Sequence, residues 1–469
     1  TAAISVTAEG TYQVVGTDAG CSDSSSINIF EPIYVAKTGN NSTGDGSFSS
    51  PYLTITYAID QALSGSKIYV LPGTYNETIN VTKNILIASD YSRLGNASAL
   101  GTTIINGQSQ RRLINYSNAI ETLDSSISQI IGFTFKNGFE EQDAGAAIKA
   151  DYAFTGSTLI KNSIIENTSR KCCQEGIVLY QNGSGHLVMD SVHIKDIGQS
   201  NDGDQRVSFR MENGKLVIRN SILENFRQDN SLFNLRNSAE LEIENTRITD
   251  IEENYSENGV IAYLQNSSKA IFNHVTIDNI DLSNSNYLFR FASGSSAEIY
   301  LLNSIVDEAQ QRLVRDQTSG NSILYVRNSV IGNAASSLHA TMSVLTPQLN
   351  TNGTLQSTSP AIGYGAASII VNGRTFSSPI KDLRGFDRPI PLGTNPDAGA
   401  YEDSLSIGNL DIVLTQCAYL LEASILNSTN NTYSWKLNGT VVSTDLSYLA
   451  TALGTYTFEA VSVDRNQTI

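Results

Sequence analysis

The feature that most constrains this chain is a phrase that returns. Asn162 to Asn167 reads NSIIEN, and Asn220 to Asn225 reads NSILEN. Weaker copies fill the gaps: GFTFKNG from Gly132, DSVHIKDI from Asp190, NTRITDI from Asn245, NHVTIDNI from Asn273, NSIVDEA from Asn303 and NSVIGNA from Asn328. Successive starts lie 25 to 30 residues apart. A period of that size belongs to stacked repeats, in which one short unit can bury its apolar face only against the next copy.

One period, GVIAYLQNSSKAIFNHVTIDNI from Gly259, holds three runs that alternate apolar and polar residues: Val260-Ala262-Leu264, Ala270-Phe272 and Val275-Ile277. Alternation with period two predicts strands with one buried face. The linking Asn, Ser, Gly and Asp are turn formers. Three strands per period with no helix between them predict an all-β chain coiled as a parallel β-helix. The Asn that opens each phrase is placed at a tight corner, because Asn tolerates positive φ better than most residues. Stacked corners at the strand spacing of about 4.8 Å would let Asn162, Asn220, Asn245, Asn273, Asn303 and Asn328 bond through their amides as a ladder. Tyr180, Tyr263, Tyr287 and Tyr325 are assigned to one strand of successive coils, as a second stack. A single amphipathic helix is predicted over residues 54–63, with Ile55, Ala58, Ile59 and Ala62 on one face, capping the open first coil.

The opening segment YVAKTGNNSTGDGSFSSPYLTITYAIDQALSGSKIYVLPGTYNETINVTKNILI, from Tyr34, resembles the start of right-handed parallel β-helix proteins of the pectate-lyase-like superfamily. SPAIG from Ser359, KDLRGFDRP from Lys381 and PDAGAYE from Pro396 resemble the closing module that follows such helices in large surface proteins. The chain departs from that pattern at Gly363, where the family carries Asp. The resemblance covers about residues 33–403. It implies a right-handed parallel β-helix but no single activity, since lyases, epimerases, adhesins and stalks share the solenoid.

Beyond Glu402 the chain changes character, with a lone Trp435 in YSWKLNG and a later GTYTF. This segment resembles immunoglobulin-like or PKD-like β-sandwich modules. Residues 1–30 match only the final strands of such a module, and GTY recurs at Gly10 and Gly454. The expected organisation is therefore 1–30, terminal strands of an immunoglobulin-like module; 31–345, β-helix; 346–404, closing module; 405–469, incomplete sandwich. The module pattern pairs an early Cys with one about nine residues past the GTY tyrosine. Cys21 fills that late position, whereas Arg465 stands there at the other end, so Cys417 lacks a partner in its own module. Either the chain is a window from a longer tandem protein, or copies join head to tail by strand exchange with a Cys21–Cys417 intermolecular disulfide. Cys172 and Cys173 would pair with each other if oxidised, or remain free thiols.

A net charge of −16 argues against nucleic acid and anionic membranes as partners. The first ten residues lack the pattern of a signal peptide, and no apolar run is long enough to cross a bilayer. The sequon N-x-S/T occurs fifteen times, including Asn76, Asn80, Asn96, Asn254, Asn266, Asn427 and Asn438. That enrichment predicts a glycosylated extracellular or cell-surface protein.

For chemistry the best local cluster is SNDGDQRVSFR, with Asp202, Asp204, Arg206 and Arg210, a weak candidate for catalysis or for Ca²⁺. His186, His193, His274 and His339 are scattered. The reading that follows is no catalytic residue, no metal ligand and no cofactor. It describes a stiff extracellular spacer or adhesin, assembled with copies of itself into a filament and in contact with surface polysaccharide. The alternative is a polysaccharide lyase or hydrolase, or a carbohydrate-binding β-helix.

Overall fold

The structure, a computed structural model, describes residues 10–18, 21–90, 100–117, 128–141, 143–170, 176–198, 207–228, 230–253, 260–281, 287–307, 313–315, 320–332, 342–343, 345–390, 393–403, 406–414, 419–426, 431–452, 454–462 and 467–468. It divides into two compact units. The first comprises Thr1–Phe272, Asn279–Tyr300 and Ala309–Tyr325; the second comprises Asn273–Asp278, Leu301–Glu308 and Val326–Ile469.

The first unit is a right-handed parallel β-helix. Each coil adds a strand of two or three residues to a nine-stranded parallel sheet, and either one long bent strand or two shorter ones to a second sheet. One coil runs from Ile148–Ala150 through Ser157–Glu166, and the next from Leu179–Gln181 through His186–Ile197. Within Ser157–Glu166 the residues Thr158, Ile160, Ser163 and Ile165 point inward and are buried. In the next coil Leu187, Met189, Val192 and Ile194 occupy the same places. Each fully buried Ile, Leu or Met contributes about 1.5–3 kcal/mol, so these columns hold the stack together.

The bend within the long strand, or between the two shorter ones, is one residue in left-handed conformation. These are Gly132, Asn162, Ser191, Asn220 and Asn245, with φ between 47° and 86°. The pairing Lys161↔Asp190 and Ser163↔Val192 sets Ser191, not Asp190, level with Asn162. The register read from the sequence is thus one residue early in this coil. Asp190 nonetheless supplies the rung: its Oδ1 accepts from Asn220 Nδ2 at 2.9 Å, and Asn220 Oδ1 accepts from Asn245 Nδ2 at 2.8 Å. Burial pushes the Asp190 carboxyl up, but the Asn220 amide, Arg219, Ser191 and Lys161 outweigh it and hold the group below its usual value.

A second left-handed corner closes the same phrase. Asn137, Asn167, Asp196, Asn225, Asp250 and Asn279 carry φ of 50–56°. Asn137 donates to Asn106, Asn167 to Asn137, Asn225 to Asp196 and Asn279 to Asp250. The phrase NSIIEN therefore begins and ends on a corner, and only the first was read from the sequence.

The helix spans Ile55–Gln61, slightly shorter than predicted. Thr54 caps its first turn by accepting from Tyr57 N, while Glu77 accepts from the N–H groups of Ile55 and Thr56. Lys83 Nζ donates to the carbonyls of Ile59, Asp60 and Ala62. A carboxylate at the N-terminus and an ammonium at the C-terminus satisfy groups that a seven-residue helix leaves open. Elsewhere in this unit, Gly10–Asp18 and Cys21–Ile29 form an antiparallel hairpin.

In the second unit, Ile305–Val306 pairs in parallel with Thr276 and Ile277 and with Val330 and Ile331. The corner here is His274 (φ 53°), not Asn273, a second one-residue slip of the sequence reading. Asn273 still accepts from Asn303 Nδ2 at 3.2 Å, just as Asp190 does one residue before its corner. Burial, with Arg388 nearby, holds the His274 imidazole well below its usual pKa. Asn303 and Asn328 donate to the carbonyls of Ala366 and Tyr364.

The segment resembling a closing module packs Leu355, Ala361 and Ala398 on Ile305 and Val330. Gly399 (φ 93°) is required there, since a Cβ would stand 2.7 Å from both Ile305 Cδ1 and Thr276 Oγ1. Arg388 and Glu402 form a fully buried pair at 3.1 Å. Gly363, at the departure from the family pattern, donates its N–H to Asp397 Oδ1 at 2.6 Å. The C-terminal sandwich has a sheet of Ser406–Leu414, Tyr419–Leu426 and Ser447–Ala450 and a sheet built on Asn431–Leu437 and Tyr456–Ser462. Trp435 is buried with Leu421, Ala423 and Ala450.

Candidate functional site

The nine-stranded sheet shows how a three-residue strand divides its labour. Its first and third residues face the core, as with Ile148 and Ala150, Phe209 and Met211, or Phe233 and Leu235, all buried. The middle residue faces outward. Strand register sets nine of these in file: Asn80, Asn115, Lys149, Tyr180, Arg210, Asn234, Tyr263, Arg290 and Arg315. Asn115 donates to Asn80 at 2.9 Å, Arg210 is paired with Glu212 at 2.6 Å, and Arg290 lies 5.1 Å from the centre of the Tyr263 ring.

This arrangement corrects the expected tyrosine stack. Tyr180 and Tyr263 share the file but stand three coils apart, with Arg210 and Asn234 between them. Tyr325 belongs to the other sheet, where it stacks on Tyr300 with ring centres 4.8 Å apart. Spacing by the repeat gave the coil, but Tyr325 lies at a different point of its coil, in a strand of the other sheet.

Around Lys149 the file opens into a cleft. Arg112 organises its rim: Nε donates to Gly145 O at 2.6 Å, Nη1 to Asn115 Oδ1 at 2.8 Å, and Nη2 lies 3.1 Å from Glu140 and 3.0 Å from Asp143. Lys149 Nζ reaches Asp143 Oδ2 at 2.6 Å. Burial raises the Asp143 carboxyl, but the Lys149 ammonium, the Ala144 N–H and Arg112 outweigh it and keep it below its usual value. Asp143 is thus held as an acceptor of hydrogen bonds. The cleft has a volume of about 450 Å³ and is lined by Asp143, Ala144, Lys149, Asp151, Tyr152, Ala153, Tyr180 and Asn182.

Tyr152 owes its place to the turn DYAF. Asp151 Oδ1 accepts from Ala153 N at 3.0 Å, and Phe154 N donates to Asp151 O at 3.0 Å. Phe154 is buried against Tyr116, which anchors the turn and leaves Tyr152 81 % exposed. Gly183 fits beneath it because a Cβ would meet Phe154 O at 2.2 Å. On its other side Tyr152 borders a second cleft of about 590 Å³, with Thr155, Asn182, Ser184, Asn213, Gly214, Lys215, Ser238 and Glu240. An exposed ring between two recesses rich in amides, hydroxyls and carboxylates suits a ligand that is apolar on its faces and hydroxylated at its edges.

Of the candidates read from the sequence, Arg210 lies in the outward file, 2 % exposed and bonded to Glu212. Asp202, Asp204 and Arg206 lie outside the described residues, as do Cys172, Cys173, Cys417, His339, Asn96, Asn254 and Asn427. Cys21 begins the second strand of the N-terminal hairpin. Asn76, Asn80, Asn266 and Asn438 are exposed. His193 Nε2 lies 2.8 Å from Glu224, and His186 is kept below its usual pKa by burial and by Lys215. Sequence reasoning missed Arg112, Asp143, Lys149, Asp151 and Tyr152. The available signal was DYAF, an aromatic in a turn where other coils carry Asn, Gly and Ser.

Comparison with known proteins places these features in context. Residues 37–227 match a family described as a protein of unknown function, DUF1565. No curated protein matches the chain. Among solved structures, XylC in complex with xylose is 11 % identical with a TM-score of 0.34, covering 79 % of this chain and 98 % of that one. The pectate lyase Pel9A is 14 % identical with a TM-score of 0.27, covering 80 % and 97 %. A rhamnogalacturonan lyase is 12 % identical with a TM-score of 0.24, covering 64 % and 87 %. These likenesses concern the fold. The expectation that the chain is no enzyme is corrected, since missing motifs do not exclude catalysis; two of the structures just named are lyases by name.

Proposed function

We propose that this chain is a carbohydrate-active β-helix that seats an extended glycan on the outward face of its nine-stranded sheet. The observation that carries the reading is Tyr152, 81 % exposed on a turn pinned by Phe154, beside a cleft holding Asp143, Lys149, Asp151 and Tyr180. A pyranose ring offers apolar C–H faces to an aromatic ring and hydroxyls to flanking polar groups. Strand spacing of about 4.8 Å sets the pitch at which Lys149 and Tyr180, neighbours in the file, meet a polymer lying along the stack. Lys149 and Asp143 hold opposite charges in contact, an arrangement that can orient a hydroxyl or carboxylate of the ligand.

The test is affinity electrophoresis through gels containing xylan, polygalacturonate, rhamnogalacturonan or cellulose derivatives. Retardation by at least one polymer, lost in Tyr152→Ala, is the expected outcome. Equal mobility in every gel would contradict the reading. Cleavage is followed with the retarding polymer by release of reducing ends and by absorbance of unsaturated products, and Lys149→Ala is expected to abolish it.

A further inference from the structure

Tyr152 and Asn182 line two clefts, and only one of them opens on the outward file. The other follows the turns that leave the nine-stranded sheet, passing Ser184, Asn213, Gly214 and Ser238 to reach Lys215 and Glu240 at the start of the neighbouring strands. At about 590 Å³ it is the larger of the two. Its one cation is matched: Lys215 Nζ lies 3.2 Å from Glu240 and 2.7 Å from Glu242. Burial depresses the Lys215 ammonium, but those two carboxylates outweigh it and hold the group above its usual pKa. The recess therefore offers amide, hydroxyl and paired charged groups without an excess positive field.

We infer that this second cleft is a glycan subsite for a neutral oligosaccharide long enough to pass over Tyr152, so that the protein selects for chain length. The inference rests on the carbohydrate reading above and deepens it. A sugar in the first cleft meets one face of the tyrosine, and the next sugars reach Asn213 and Ser238 only if the chain turns the corner of the coil. Linked sites multiply affinity when one ligand spans both.

Calorimetric titration with xylo- and cello-oligosaccharides of two and six units tests this. The expected result is at least tenfold tighter binding of one hexasaccharide than of its disaccharide by the native chain. Ser238→Trp places a large ring at an exposed position in the second cleft, and Asn213→Ala removes an amide from it. Both are expected to bring the hexasaccharide down toward the disaccharide's native affinity, with unfolding midpoints unchanged. Equal affinity for two and six units, or a length dependence untouched by both variants, would overturn the second subsite and leave the first standing. Binding of no oligosaccharide of either length, together with unretarded mobility in every gel, would remove the carbohydrate reading itself.

Discussion

Two columns run through the same coils of the first unit and obey opposite rules. At the first corner the residues are Gly132, Asn162, Ser191, Asn220 and Asn245, all left-handed and drawn from a narrow set of small or amide side chains. On the outward face of the nine-stranded sheet the residues are Asn, Lys, Tyr and Arg in no regular order, although their backbone is equally regular. The corner repeats because a positive φ and a neighbouring amide select its residue. The outward file needs no positive φ, and the Asn115–Asn80 amide bond at its start is not repeated from coil to coil. Repetition along this chain therefore reports the fold, and the positions that break it report what the surface meets.

The sharpest way to break that contrast is Asn245→Val. A β-branched residue resists the left-handed conformation, and Asn220 Oδ1 loses its donor in a partly buried site, for a combined cost of about 2–4 kcal/mol. Urea unfolding midpoints should show it. At the exposed second corner Asn167→Ala meets the conformational penalty while water replaces its bond to Asn137, for about 1–2 kcal/mol. On the outward file Tyr263→Ala forfeits a contact with Arg290 and should cost under about 1 kcal/mol. If Tyr263→Ala destabilised as much as Asn245→Val, the two columns would not differ as described.

The smallest effect concerns pH. Asp143 has its carboxyl held below 3.8, so its pairing with Lys149 is complete above that value and is lost as pH falls through the lower folded pKa. Amide exchange across residues 143–149 should accelerate only below about pH 4, and Asp143→Asn should remove that dependence. A transition near neutrality instead would mean that another group governs the rim.

The period, the strands and the first corner were legible because they depend on residues that recur at a fixed distance. Register failed by one residue at Asp190 and Asn273 for a shared reason. In both coils a polar side chain precedes the corner and reaches forward into the ladder, so the amide or carboxylate is displaced from the left-handed residue. The second corner was hidden in plain view, because its Asn or Asp closes the phrase instead of opening it. Of the cleft only the DYAF turn left a mark in the sequence, and its charged rim left none. Arg112 reaches Asp143 at 3.0 Å only because the coils stack, and Lys149 meets the same carboxylate at 2.6 Å from six residues along the chain.

The central claim is that the outward face around Tyr152 is where this protein meets a glycan. Hydrogen–deuterium exchange with and without the polymer that retards the chain in gels measures it most directly. The account predicts protection at residues 143–153 and 180–184, joined by residues 213–215 and 238–240 when the ligand spans the second cleft, and none across residues 368–377 of the second unit. Protection at the latter hairpin alone, or exchange unchanged at residues 143–153 under saturating polymer, would contradict it.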